Sequence, residues 1–319
     1  MGAHIAKRAS VALATVIAAT FATFVLTRLI PGEPARAILT RVFVQDQTVG
    51  VSRDQINAVA QRYGLTDPLL VQYGRWLTRA AVGDLGTSIA SGRPIRQEIG
   101  WRLGRTAQLA GLATVVSLAL TFSAVLAARQ SRRRWPRALV DGLSVASIGV
   151  PSFYLGVVLI ILFSLWLDLL PVSGVGSWSH WILPVAVLAI GQFGFNASLL
   201  NGALDEALAA PYSITAKAKG LSRRKVLFLH ALPNALVPLV PYLTLEFATL
   251  AGGVLVIEQL FGIPGIGAYL MVSLDNHDSP AFLATVAVIA AAVAGAGLLG
   301  DGLVALIDPR IRQGKGDAT

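Results

Sequence analysis

Six long apolar runs leave this chain little choice of solvent. They cover residues 9–30, 107–128, 143–167, 181–200, 235–257 and 281–307, and a helix needs about 20 apolar residues to cross a hydrocarbon core. In lipid each backbone N–H and C=O has to be satisfied inside the protein, which a single run of this kind can do only as helix. The runs predict an all-α integral membrane protein with six transmembrane helices. Three of them carry no charged residue; the first holds Arg28 near its end, and the fifth and sixth hold the acids Glu246 and Asp301 inside them. Pro151 in the third run predicts a kink or a late start.

Composition supports a lipid solvent and removes several function classes. With 55% hydrophobic and 13% charged residues, the chain is unlike a soluble domain. It has no cysteine, hence no disulfide and no thiolate metal ligand, and His4, His180, His230 and His277 are too scattered to suggest a metal cluster. The net charge of +9 lies between apolar runs without interleaved aromatics, which argues against a nucleic-acid surface.

The basic residues set the expected orientation, because Lys and Arg in short loops stay cytoplasmic. Arg129, Arg132, Arg133, Arg134 and Arg137 follow the second run, and Lys217, Lys219, Arg223, Arg224 and Lys225 follow the fourth, whereas 168–180 and 258–280 contain neither Lys nor Arg. Both termini are then cytoplasmic. Three parts are expected: 1–30 with the first span, an extracytoplasmic domain at 31–105, and a five-helix core at 106–319 with a cytoplasmic loop at about 201–234. In the outer segment Ser52 can cap a helix at 52–63 whose stripe is Ile56, Val59, Ala60 and Tyr63. A cleaved signal peptide ending near Ala35-Arg36-Ala37 is the rival reading of the first run, which is longer than the usual apolar region of about 7–15 residues.

The most informative stretch is the loop after the fourth run. Pro211 suits a first helical turn, Ala216 and Ala218 are small enough to admit a partner, and Gly220 suits a stop, so 212–220 reads as a short interfacial helix. By itself it also reads as a basic loop meeting anionic headgroups. Its spacing says more. Thr215-Ala216, Gly220 and Leu232-Pro233 resemble the EAA motif, the coupling loop by which ABC importer permeases dock on their ATPases. Ile214 stands where that motif has Glu, as in the peptide-importing branch.

The rest of the chain is similar to the dipeptide/oligopeptide/nickel branch of binding-protein-dependent permeases. The segments that carry the resemblance are Leu29-Ile30-Pro31-Gly32-Glu33-Pro34-Ala35, Leu65-Thr66-Asp67-Pro68, Gly83-Asp84-Leu85-Gly86-Thr87-Ser88, Pro151-Ser152-Phe153-Tyr154-Leu155-Gly156, Leu170-Pro171-Val172-Ser173-Gly174, Pro264-Gly265-Ile266-Gly267 and Ile307-Asp308-Pro309-Arg310. The resemblance implies the type I ABC importer permease fold in a bacterial or archaeal cytoplasmic (inner) membrane. It implies as partners a second homologous permease subunit, two ATPase subunits, an extracytoplasmic substrate-binding protein and membrane lipid. ATP and Mg2+ are then used by the partner ATPases, no cofactor is bound by this chain, and Tyr212, Thr215, Ala216, Lys217, Ala218, Lys219, Gly220, Leu232 and Pro233 form the ATPase-coupling site. No phosphate-binding loop is present in the sequence, since Gly314-Lys315 lacks both the earlier Gly and the following Ser or Thr.

Polar residues inside the runs are candidates for the pathway wall: Gln192, Asn196, Tyr242, Glu246 and Thr249. Buried amides and hydroxyls more often fasten helices together, at about 0.6 kcal/mol each. Glu246 stands apart, because an ionised carboxylate at bilayer depth costs at least ~2.5–3.5 kcal/mol. Glu258, Asp275, His277 and Asp278 are expected as solvent-side loop groups. Two rivals remain at this point. An intramembrane hydrolase lacks its motifs, and an ion-coupled secondary transporter would use Glu246 and Asp301 as coupling acids. Peptides are the solute implied by the resemblance, with nickel or metal chelates, opines and glycosides open.

Overall fold

The computed structural model describes residues 2–29 and 66–307; inside its helices the side chains of 2–5, 29, 245, 247–253, 301 and 303–307 are not described. The expected helix at 52–63, the 35–37 site and the tail beyond 307 lie outside the described residues, as do the side chains of Thr249 and Asp301. Everything described is helical or connecting, apart from one isolated bridge between Thr87 and Pro94.

Helix α1 (Gly2–Leu29) covers the first apolar run without a break. Helix α2 (Leu69–Ala81) follows Pro68, and α3 (Ile95–Gln130) starts well before its apolar run. Its first turns, 95–105, belong to the stretch expected as the outer domain. The early start has a local cause, because Glu98 bonds Arg102 one turn on at 3.2 Å and Arg93 just ahead of the helix at 3.3 Å. The third run is not one straight span. Helix α4 (Trp135–Gly149) and helix α5 (Ser152–Leu159), which continues as a π-helical stretch over Ile160–Trp166, are bent by 101°. Pro151 drives Val150 into extended backbone, which ends α4 and starts a new axis.

Helix α6 (Ser179–Ala209) carries the fourth run, and one extended residue, Ala210, separates it from α7 (Pro211–Ala218). The turn α8 (Arg223–Lys225), a π-helical stretch over Val226–Ala231 and α9 (Leu232–Ala235) lead into α10 (Leu239–Leu260). Helices α11 (Ile266–Asp275) and α12 (Ser279–Ile307) complete the described chain. Among the described residues four helices are long and apolar enough to cross a membrane, and the bent pair makes five if it counts as one span. Helix α10 overlaps the fifth run.

The chain forms two compact units, one holding Thr106–Ile263 with the described residues before Ala6 and from Ala296 on, the other Ala6–Arg105, where described, with Pro264–Gly295. The first unit has two apolar clusters. Leu109, Trp181, Leu188, Ile257 and Phe261 centre one, and Val125, Phe193, Leu200, Leu204 and Leu227 the other. Helices approach closely where glycine permits it: a β-carbon on Gly194 would lie 2.6 Å from the Ser144 carbonyl, and one on Gly300 would lie 1.9 Å from the Thr244 side chain. Gly295 and Gly297 have nothing within 4 Å of that position.

In the second unit Tyr73 is buried among Phe24, Trp76 and Leu283, and its hydroxyl meets Thr20 at 2.8 Å. Ile95, Ile99, Ile266 and Tyr269 form a second cluster, with the Arg102 guanidinium 4.5 Å from the Tyr269 ring centroid. Burial pushes the Tyr269 hydroxyl pKa up, and the Asp278 and Glu98 carboxylates add to the rise.

Two residues expected in solvent are buried. Asp278 is 1% exposed because its carboxylate accepts from the Ser88 hydroxyl at 2.5 Å, from the Ile89 and Ala90 N–H groups at 3.2 and 3.0 Å, and from Ala281 N–H at 3.2 Å. It thereby caps α12 and holds the 88–90 turn. Glu258 is fully buried and accepts from the Thr106 hydroxyl at 2.5 Å. Asp275 and His277 are exposed, as expected.

Candidate functional site

The loop after α6 is built from local rules. Pro211 begins α7 where a missing N–H costs nothing. Ser213 donates its hydroxyl to the Ala207 carbonyl at 2.7 Å and the Lys217 ammonium donates to Leu208 at 3.3 Å, so α7 is tied back to the last turn of α6. At its far end Gly220 has φ +82°, with Gly220 N–H on the Lys217 carbonyl at 3.0 Å and Leu221 N–H on the Ala216 carbonyl at 3.2 Å. That pair of bonds is the glycine-terminated helix stop, and it demands a left-handed residue. The space beside Gly220 is open, so conformation and not crowding selects glycine there.

One face of α7 is inside the protein. Ser213 is fully buried and Ala216 is 5% exposed, whereas Tyr212, Ile214, Thr215, Lys217, Ala218, Lys219 and Gly220 are exposed. Spacing of three puts 213 and 216 on one side of a helix, and that side packs against the Val226–Ala231 stretch. In this chain the Ala216 methyl is buried. Its small size serves the approach of α7 to the rest of the loop.

Leu232 is half-buried and Pro233 exposed in α9. Pro233 has no N–H to give to the Leu229 carbonyl, and the preceding turn widens into the π-helical stretch. Leu229 is left 64% exposed, and Arg224 sits 5.9 Å from the Phe228 ring centroid.

In the sequence Arg129 is one of five orienting arginines with nothing to set it apart; the structure does. Arg129 is 6% exposed, unlike Arg132, Arg133 and Arg134, which are exposed. Its guanidinium forks onto both Asp205 carboxylate oxygens, one at 2.9 Å. It also donates to the Asn201 side-chain oxygen at 3.1 Å and the Asn201 carbonyl at 2.9 Å. Asn201 in turn donates to Asp141 on α4 at 3.1 Å, and Arg223 donates to the Arg129 carbonyl at 3.0 Å. The available signal was an Asn and an Asp four apart on α6, just past an apolar run, opposite an Arg just past another.

Of the pathway candidates, the structure brings together Asn196 and Glu246. Asn196 is fully buried and donates to the Ser117 hydroxyl at 3.2 Å, and it lies close to the Glu246 carboxylate, which is 8% exposed. Gln192 is 6% exposed, one turn from Asn196, and its amide makes no hydrogen bond among the described residues. Tyr242 is half-buried. No group of three or more His, Asp or Glu side chains suited to a metal ion occurs among the described residues.

The sequence model of binding-protein-dependent transport system inner membrane components matches residues 119–313. The chain is similar to the glutathione transport system permease protein GsiC of Salmonella paratyphi A, with 34% identity over 311 residues, 97% of this chain and 98% of that protein. The Escherichia coli K12 protein of the same name is 33% identical over the same shares of both chains.

Proposed function

The chain belongs to the binding-protein-dependent transport system inner membrane components and is the permease subunit of an ABC importer, and on that premise we propose that α7 is the helix through which partner ATPases drive it. The observation that carries this reading is the division of α7 into a buried side, Ser213 and Ala216, and an exposed side led by Tyr212, Ile214, Thr215, Lys217 and Lys219. A helix held on one side and free on the other suits a rigid docking element. The exposed Ile214 takes the place of a charged residue with an apolar contact.

In this reading the subunit crosses the inner membrane six times with both termini in the cytoplasm. It pairs with a second homologous permease, and the pair stands on two ATPases, with 31–105 facing the extracytoplasmic binding protein. ATP closes the ATPases, α7 follows, and the spans exchange an inward-open for an outward-open cavity. The solute is peptide-like, as the named relatives carry glutathione. The secondary-transporter alternative loses its ground with family membership, and ATP-dependent uptake with collapsed ion gradients tests that directly.

Glu246 and Asn196 are better explained as a fastening between α10 and α6 than as a pathway wall. Their burial inside one chain supports that role.

The docking role is tested by Ile214→Asp, which places a charge on the exposed face without touching the buried side. The variant should stay in the membrane and lose ATPase co-purification. ATPases that remain bound would remove α7 from the docking surface. Orientation is tested in a chain without native cysteine: Ser91→Cys should react with an impermeant thiol reagent from outside, and Ser222→Cys only once the inner face is opened.

A further inference from the structure

A docking helix transmits force only if its joint with the spans is stiff, and the joint here is a single extended residue. Ala210 lies between α6 and α7 with φ −66° and ψ 150°, and rotation there would let α7 swing while α6 stayed still. We propose that Arg129 is the positioning residue that stiffens this joint, fastening the segments on both sides of α7 to the end of α3 so that α3, α6 and α7 move as one body. The inference rests on the coupling role of α7.

The geometry is convergent. Asp205 precedes α7 on α6 and takes both arms of the Arg129 fork, while Arg223 follows α7 and donates to the Arg129 main-chain carbonyl at 3.0 Å. Asn201 adds two bonds from the same guanidinium and passes the connection to Asp141 on α4. The contacts to Asp205 and Asn201 come from the guanidinium, a planar group with five donors that lysine, with a point charge and no fork, does not replace, whereas the Arg223 bond goes to the main-chain carbonyl and is kept by any residue at 129.

Burial gives the contacts their weight. Arg129 is 6% exposed, so its charged hydrogen bonds are shielded from competing water, although Asp205 presents most of its side chain to solvent. Arg137 also lies close enough to be repelled by Arg129 and Arg223, with Asp205 and Asp141 as the opposing charges.

Spin labels on Gln130→Cys at the end of α3 and Ser222→Cys just past α7, both exposed positions in a cysteine-free chain, read the joint directly in the assembled complex. With Arg129 present, the distance distribution should be narrow and the same with and without ATP and vanadate. In Arg129→Gln it should broaden and shift on trapping, while ATPase co-purification and basal hydrolysis persist. Stimulation of hydrolysis by the complex's own binding protein, as purified, should fall roughly tenfold, the scale of a lost charged hydrogen bond.

A shift already present with Arg129, or none in Arg129→Gln, overturns the proposal. Lost ATPase co-purification in Arg129→Gln does so too, by making Arg129 a docking residue. If Arg129→Gln fails to accumulate, Asp205→Asn decides, because that exposed side chain can change without a burial cost: a shift supports the clamp and an unchanged distribution refutes it. Failure of the docking role itself shows separately, as ATPases retained by Ile214→Asp.

Discussion

Two polar clusters in the same compact unit are built on opposite terms. At the end of α3, Arg129, Asp205, Asn201 and Asp141 form a dense charged network in which each group has partners. Within the apolar lengths of α3, α6 and α10, Ser117, Asn196, Gln192 and Glu246 form a sparse one, in which Gln192 makes no bond among the described residues. The contrast follows from solvent. Near the end of an apolar run, charges lose only part of their hydration and gain a fork of charged bonds. At bilayer depth an ion costs several kcal/mol, so neutral amides and hydroxyls are the usual choice. The two networks therefore suit different duties, force transmission at the membrane edge and fastening within it.

Moving a charge from one setting to the other should break the comparison most severely. Gln192→Arg would bury a cation one turn from Asn196, where insertion costs ~2.5–3.5 kcal/mol or more. Its expected outcome is loss of monodisperse protein in detergent size-exclusion chromatography, whereas Asp205→Asn at the edge should elute normally. Equal elution of both would dissolve the distinction.

Overpacking comes next. Gly194→Val pushes side-chain carbon toward the Ser144 carbonyl, and forcing volume into a close contact costs about 1–3 kcal/mol. Thermal denaturation of the purified complex should show a lowered midpoint. Gly297→Val, with open space at that position, should leave the midpoint unchanged.

The smallest effect sharpens the comparison instead of breaking it. Glu246→Gln keeps an acceptor for Asn196 and removes the carboxyl group's capacity to ionise, so stability should change by about 0.6 kcal/mol or less. Import of cationic and neutral peptides should respond equally. Selective slowing of cationic peptides would return Glu246 to the pathway wall.

How much was legible in sequence varied with the range of the interaction. The start of α7 at Pro211 and its stop at Gly220 were readable because a missing N–H and a positive φ are properties of one or two residues. The break at Pro151 was readable as a kink, but its 101° angle was not, since it depends on what α4 and α5 pack against. Ala216 was read as facing outward because smallness suits a partner as well as a core; only the Val226–Ala231 stretch beside it shows which. Glu258 and Asp278 were placed in water by their charge, before Thr106 and the 88–90 turn were known to be their neighbours.

By itself, then, the sequence determined the solvent, the helical class, the position of the short helix at 211–218 and the family pattern. Each of these is written in composition, run length or near-neighbour spacing, where the energies are local and additive. Tertiary structure alone decided which polar groups are buried and satisfied, because that depends on residues far apart in the chain. Arg129 and Asp205 are 76 residues apart. No local rule distinguishes that arginine from Arg132 or Arg133; it became a buried fork because α3 and α6 end side by side, leaving one guanidinium enclosed and its neighbours in water.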